Sequence, residues 1–162
     1  MLPQRLEQAW ACDWTPALEV LSEARDLYVI GRGIGFGIAQ EAALKLKETC
    51  GLHAEAFSAA EVLHGPMALV REGFPVLIFS QNDQSRESVR AMTGRFAESQ
   101  ARLLLAGFAA PGATTLATVP AASALEPILM IQSFYRMAEA LSRTRGLDPD
   151  APPHLKKITE TV

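Results

Sequence analysis

Three ionisable groups in one short stretch could do proton chemistry. In GRGIGFGIAQEAALKLKETC, residues 31–50, Glu41, Lys45 and Glu48 stand at i, i+4 and i+7, so a helix would carry them on one face. A carboxylate beside an ammonium can serve as a base whose pKa the neighbouring charge tunes. The bland reading is a solvated ladder with Glu41 ahead of Lys45, the favourable order. His64 follows, fixed in direction by the rigid turn Gly65-Pro66. Imidazole titrates near neutrality and so suits proton shuttling, although a lone loop histidine is usually only surface polarity. Near the end, His154, Lys156 and Lys157 come after two prolines. A lysine there could form a Schiff base with a carbonyl from a segment closing over a site; position alone suggests a loose terminus. His53 and Glu55 share a strand face and read as a structural hydrogen-bonded pair.

The glycine turn ahead of the helix is a different kind of candidate. Gly31, Gly33, Gly35 and Gly37 alternate after an apolar run. The spacing is not the dinucleotide fingerprint, because Phe36 and Ile38 stand where G-x-G-x-x-G requires glycine. It is not a Walker loop either, since no Lys-Ser/Thr pair follows. Gly33 and Gly35 remain candidate substrate-binding positions, because a glycine turn opening a helix can present N–H groups to an anion. The structural alternative is a tight turn with close strand–helix packing. Glu48 lies about twelve residues past this turn, or roughly 18 Å at 1.5 Å per residue. One small anionic ligand cannot easily touch both.

The elements that must position these groups alternate in type. Residues 3–24 suggest two short helices, the second capped by Thr15 with Pro16 at its first position. Leu27–Ile30 reads as a buried strand, followed by a helix from near Phe36 to Thr49 that Gly51 closes. On that helix Ala39, Ala43, Leu46 and Cys50 would pack on the sheet. His53–Phe57 is a second strand, and Ser58 to Glu61 fits a capping box opening a short helix that Gly65-Pro66 ends. Phe74–Ser80 is a continuous apolar run, expected of a strand covered on both faces. A helix over 83–100, strands at Ala101–Ala106 and Thr114–Val119, and a long helix over 124–145 complete the pattern. Strands alternating with helices predict an α/β fold, with a parallel sheet between helical layers and ligands outside the carboxyl ends of the strands.

Composition narrows the function. The chain has 162 residues, about half of them hydrophobic, with a net charge of −3 and pI near 5.6. That argues for one domain and against a nucleic-acid partner. No apolar run approaches the length needed to span a bilayer, and no signal peptide opens the chain. Cys12 and Cys50 match no disulfide framework and no zinc spacing, so a reducing cytoplasm is the expectation, with no metal and no cofactor.

Four segments together resemble a known family. EAALKLKE, HAEAF, AAEVLHGP and the closing HLKKIT are similar to the sugar isomerase (SIS) domain. More narrowly, they resemble the second SIS unit in the isomerase half of the glutamine–fructose-6-phosphate aminotransferases. The likeness covers residues 26–162, leaving 1–25 as an N-terminal helical segment and 146–162 as a tail. It implies a five-stranded parallel sheet in a three-layer α/β/α sandwich of flavodoxin-like type, and sugar-phosphate chemistry without metal or nucleotide. By motif position, Glu48 would move a proton between C1 and C2, with Lys45 beside it. His64 would help open the sugar ring in a neighbouring subunit's site. Lys157 would be the Schiff-base lysine, with Lys156 next to it among the substrate-binding groups. A homo-oligomer, most simply a dimer, follows from the family.

Two departures matter. The phosphate loop of the family, rich in Ser and Thr and carried by a first SIS unit, has no counterpart here. No glutaminase domain with an N-terminal cysteine is expected either, since Cys12 is internal. The tail resembles shorter two-unit relatives that isomerise or deaminate amino-sugar phosphates. The expectation is therefore the C-terminal half of such an enzyme, lacking a first SIS domain. The alternative is a non-catalytic sugar-phosphate-binding or dimerisation module.

Overall fold

A computed structural model of the protein describes residues 1–153. Lys156, Lys157 and His154 lie outside the described residues. The elements run α1 Leu2–Trp10, α2 Thr15–Leu21, β1 Asp26–Gly31, α3 Gly35–Cys50 and β2 His53–Ser58. Two single 3₁₀ turns follow, Glu61–His64 and Pro66–Leu69. Then come β3 Pro75–Phe79, α4 Arg86–Glu98, β4 Arg102–Ala106, β5 Ala113–Leu116 and α5 Glu126–Thr144.

All five strands are parallel, in the order β2-β1-β3-β4-β5. The architecture is the expected α/β/α sandwich. Strand β3 shows why: all five of its residues are buried, Leu77 and Phe79 facing one core and Val76 and Ile78 the other. A strand covered on both faces has no solvated side to leave polar. The first core packs α2, α3 and α5 on the sheet, with Trp14, Leu46, Cys50, Phe134 and Leu141 among its members. The second packs α4 and the 3₁₀ segment, with Val62, Met92 and Phe96. Ala39, Ala43, Leu46 and Cys50 of α3 all face the first core, as their spacing predicts. Burying one such leucine fully contributes about 1.5–3 kcal/mol.

Several local details differ from the sequence reading. Thr15 does not cap α2; its own N–H donates to Asp13 Oδ1 at 2.8 Å, so the aspartate two residues earlier closes that turn. Ser58 opens no helix. It is the last residue of β2, paired with Gly31, and the 3₁₀ turn after it has no side-chain cap. Helix α4 starts at Arg86 rather than 83, because Asp83 and Ser85 hydrogen-bond each other in a turn ahead of it. Strand β5 stops at Leu116, which already faces Ala106, the last residue of β4. Beyond it the Ala117 carbonyl accepts from Trp14 Nε1 at 2.8 Å instead.

Candidate active site

Helix α3 carries the strongest chemical pair. Lys45 Nζ lies 2.6 Å from Glu48 Oε2, and both side chains are partly open to solvent, at 35 % and 23 %. The hydrogen bond to Glu48 raises the Lys45 pKa above its ordinary value, and the charges of Glu48 and Glu41 add to it against the effect of burial. The expected Glu41–Lys45 ladder is replaced by this i,i+3 contact. Glu41 accepts instead from the Tyr135 hydroxyl of α5 at 3.0 Å. Burial first, then that hydrogen bond, pushes the Tyr135 hydroxyl pKa up.

The end of α3 that bears the pair is pinned to α5. Ser142 Oγ donates to the Thr49 carbonyl at 2.6 Å, and Arg145 Nε donates to the Cys50 carbonyl at 2.8 Å. Arg145 Nη1 also reaches the carbonyls of Leu21, Ser22 and Ala24, at 3.2, 2.8 and 2.9 Å. Gly51, in the left-handed conformation, then turns the chain into β2.

His64 is held in a different way and in a different place. It ends the first 3₁₀ turn, with its side chain exposed. The turn is tethered from below by Tyr28, whose buried hydroxyl donates to the Pro66 carbonyl at 3.0 Å. The Tyr28 ring in turn packs edge-on against Phe57 and Phe74. His53 and Glu55, on β2, are both exposed, and no hydrogen bond joins them.

Topology separates the two groups. In a parallel sheet the helix after β1 runs back toward the amino edge of the strands. Glu48 therefore sits near the amino edge, about 20 Å along α3 from Gly35. Strand β2 then returns to the carboxyl edge before reaching His64. One copy of the chain brings Lys45 and Glu48 together, but it does not bring His64 to them.

The glycine turn is also at the carboxyl edge. Gly31 is required by close packing: a Cβ there would lie 2.4 Å from the Gly35 carbonyl oxygen. Gly33 is exposed and Gly35 is buried. Arg32, between the strand and the turn, donates from Nη1 to Ser58 Oγ at 3.1 Å. Gln81, just past β3, donates to the Arg32 carbonyl at 2.9 Å. The neighbouring Ser80 hydroxyl is buried with no hydrogen-bond partner among the described residues. Among the described residues no group of three or more His, Cys, Asp or Glu side chains is placed to hold a metal ion. No described helix is long and apolar enough to cross a membrane.

Sequence reasoning missed Arg145, Tyr28 and Gln81. Arg145 left one legible signal, a cation at a helix end just before Gly146. The other two are ordinary residues whose importance comes only from what lies across from them.

Comparison with known proteins agrees with this architecture. The model of the SIS domain family matches residues 20–107. A glutamine–fructose-6-phosphate aminotransferase of Pyrobaculum aerophilum is 39 % identical over 160 residues, covering 88 % of this chain and 24 % of its own length. A solved Silicibacter pomeroyi protein assigned to the phosphosugar isomerases superposes with a TM-score of 0.85 at 39 % identity. That match covers 92 % of this chain and 46 % of that one. The C-terminal domain of the Francisella tularensis glucosamine-fructose-6-phosphate aminotransferase gives a TM-score of 0.72 at 25 % identity, over 82 % of this chain and 39 % of that one. The chain thus spans about a quarter of the length of the curated relatives it matches. With the family model covering more than half of the residues and the fold agreeing, the chain belongs to the SIS domain family.

Proposed function

We propose that this chain is the base-carrying half of a phosphosugar aldose–ketose isomerase, or of a deaminase acting on amino-sugar phosphates. The observation that carries the reading is the Lys45–Glu48 pair at 2.6 Å on a partly open helix face. In this scheme Glu48 takes a proton from C1 of the open-chain ketose, leaving an enediol, and returns it to C2 to give the aldose. The Lys45 ammonium holds the Glu48 carboxylate in place and offers charge to the oxygen that gains it. Lys157 first captures the open-chain ketose as an imine, releasing water; water then restores the free carbonyl and the lysine before Glu48 acts, and Lys156 adds charge for the phosphate. Gly33 leaves the turn open, and Gly35 lets it pack closely.

His64 opens the sugar ring by moving a proton to the ring oxygen, in the site of a second copy. The separation of Glu48 and His64 across the sheet within one chain supports a site shared between copies. The rest of the binding energy, above all for phosphate, comes from a first SIS unit. A dimerisation or binding module that does no chemistry would need no such pair and would be indifferent to its loss.

The test is Glu48→Gln in the enzyme completed by its first unit. Exchange of the C1 and C2 protons with deuterated solvent should fall by roughly 10²–10⁴, as expected for removal of one general base. Unfolding should be unchanged. Exchange within a few-fold of wild type would reduce Glu48 to a surface salt bridge.

A further inference from the structure

The crevice where a sheet of this order usually takes its ligand is filled here by the chain itself. The chain leaves β1 for β2 on one side and then crosses to β3 on the other, so the switch point lies between the carboxyl ends of β1 and β3. Gln81 crosses it, only 1 % exposed. Its Nε2 donates to the Arg32 carbonyl at 2.9 Å, to Asp83 Oδ2 at 2.8 Å and to Ser85 Oγ at 3.1 Å. Its Oε1 rests against Gly35, where a Cβ would come within 2.3 Å.

Several of the loop's donors are engaged as well, the buried Ser80 hydroxyl being an exception. Asp83 Oδ1 accepts from both the N–H and the hydroxyl of Ser85, at 2.8 and 2.6 Å. The Asn82 N–H goes to Glu126, and the Asp83 and Arg86 N–H groups go to the Gln81 and Asp83 carbonyls. Arg86, the nearest cation to these carboxylates, is spent on the carbonyls of Gln81 and Ser80 and stands 3.7 Å from Glu126.

We infer that Gln81 and Asp83 lock the switch-point crevice, so that this unit does not seat a substrate phosphate at its own β3–α4 loop. Two carboxylates already occupy the places where a phosphate oxygen would meet N–H donors, and both repel an incoming dianion. Asp83 is the determinant: its carboxylate takes the Ser85 donors and also holds Gln81 across the gap. This rests on the reading above, in which phosphate is bound by another unit, and it says why this half cannot do so alone.

The experiment is a titration of the isotopically labelled 162-residue chain with inorganic phosphate, following the backbone amides of Gly33, Asn82 and Ser85. In the wild type these signals should not move up to about 50 mM. In Asp83→Ser they should move and saturate, with phosphate bound at least ~10-fold more tightly, the scale of one charge-assisted hydrogen bond. If Asp83→Ser does not fold, Asp83→Asn removes the charge alone and should show a smaller gain in the same signals. Saturating shifts at these amides in the wild type would overturn the lock. Variants as silent as the wild type would remove Asp83 as its cause. Either result leaves the proton-exchange test of Glu48 standing, and failure of that test leaves this one standing.

Discussion

Replacing Arg145 with methionine should cost more stability than its partly buried position near the chain surface suggests. Its guanidinium joins three chain segments at the amino edge of the sheet: the end of α2, the approach to β1 and the end of α3. Four carbonyls accept from it, but three share one nitrogen with two protons, so the arrangement counts as about three full bonds. Hydrogen bonds to a charged donor contribute about 1.5–3 kcal/mol each. The upper end does not apply, because a cleft lined by Ser22, Arg25, Cys50, Gly51 and Leu147 opens onto the site and lets water reach the freed carbonyls. Methionine keeps most of the apolar stem contact.

With three bonds at the low end, the expected loss is therefore about 4–5 kcal/mol, or roughly 12–15 °C in Tm at about 3 °C per kcal/mol for a chain of this size. Urea and thermal unfolding of wild type, Arg145→Met and Arg145→Lys would measure it. Lysine should recover less than half, since a single ammonium cannot span the fork. Amide exchange over 48–51 should quicken in the methionine variant, because the turn bearing Glu48 loses its pin. A methionine variant within about 1 kcal/mol of wild type, or full rescue by lysine, would refute the argument.

Other outcomes follow from single contacts. Gly31→Ala should lose about 3 kcal/mol or more, since its Cβ meets backbone atoms of Gly35 at 2.4 and 2.8 Å. Gly37→Ala, with open space around it, should be neutral or gain up to about 1 kcal/mol of helix propensity. Burial pushes the Asp83 carboxyl up, but hydrogen bonds from Ser85 and Gln81 and the Arg86 charge outweigh it and hold its pKa below the ordinary 3.8. A group lowered in the folded state stabilises above its unfolded pKa and stops doing so as pH falls through the folded one. The stability gap between wild type and Asp83→Asn should thus be full at neutral pH and close at pH values below 3.8; a gap constant with pH would rule this out. Borohydride added to the completed enzyme with fructose 6-phosphate should leave a mass adduct on Lys157, and an adduct on Lys45 or Lys47 would move the Schiff base to α3.

The apolar pattern of the chain by itself determined the layers. Phe74–Ser80 could only be a doubly covered strand, and the Ala39–Cys50 spacing could only put one face of α3 on the sheet. Both follow from periodicity, which is a property of neighbours in sequence. Glu48 and Lys45 were legible for the same reason, because three residues along a helix means adjacency in space. His64 was legible as a motif, but its distance from Glu48 was not. That separation depends on α3 and β2 running in opposite directions between the sheet's two edges.

The tertiary structure alone decided the rest. Ser58 fits a capping box on paper, yet pairing with Gly31 draws it into β2, because a ladder bond to a neighbouring strand outweighs a local turn. Glu41 suits Lys45 by spacing, yet Tyr135 from α5 takes it. Gln81, Asp83 and Arg145 owe their roles to partners 49 and up to 124 residues away, or to a loop those partners hold in shape. No local spacing rule reaches across such separations; only the packed sheet brings those groups within hydrogen-bond distance.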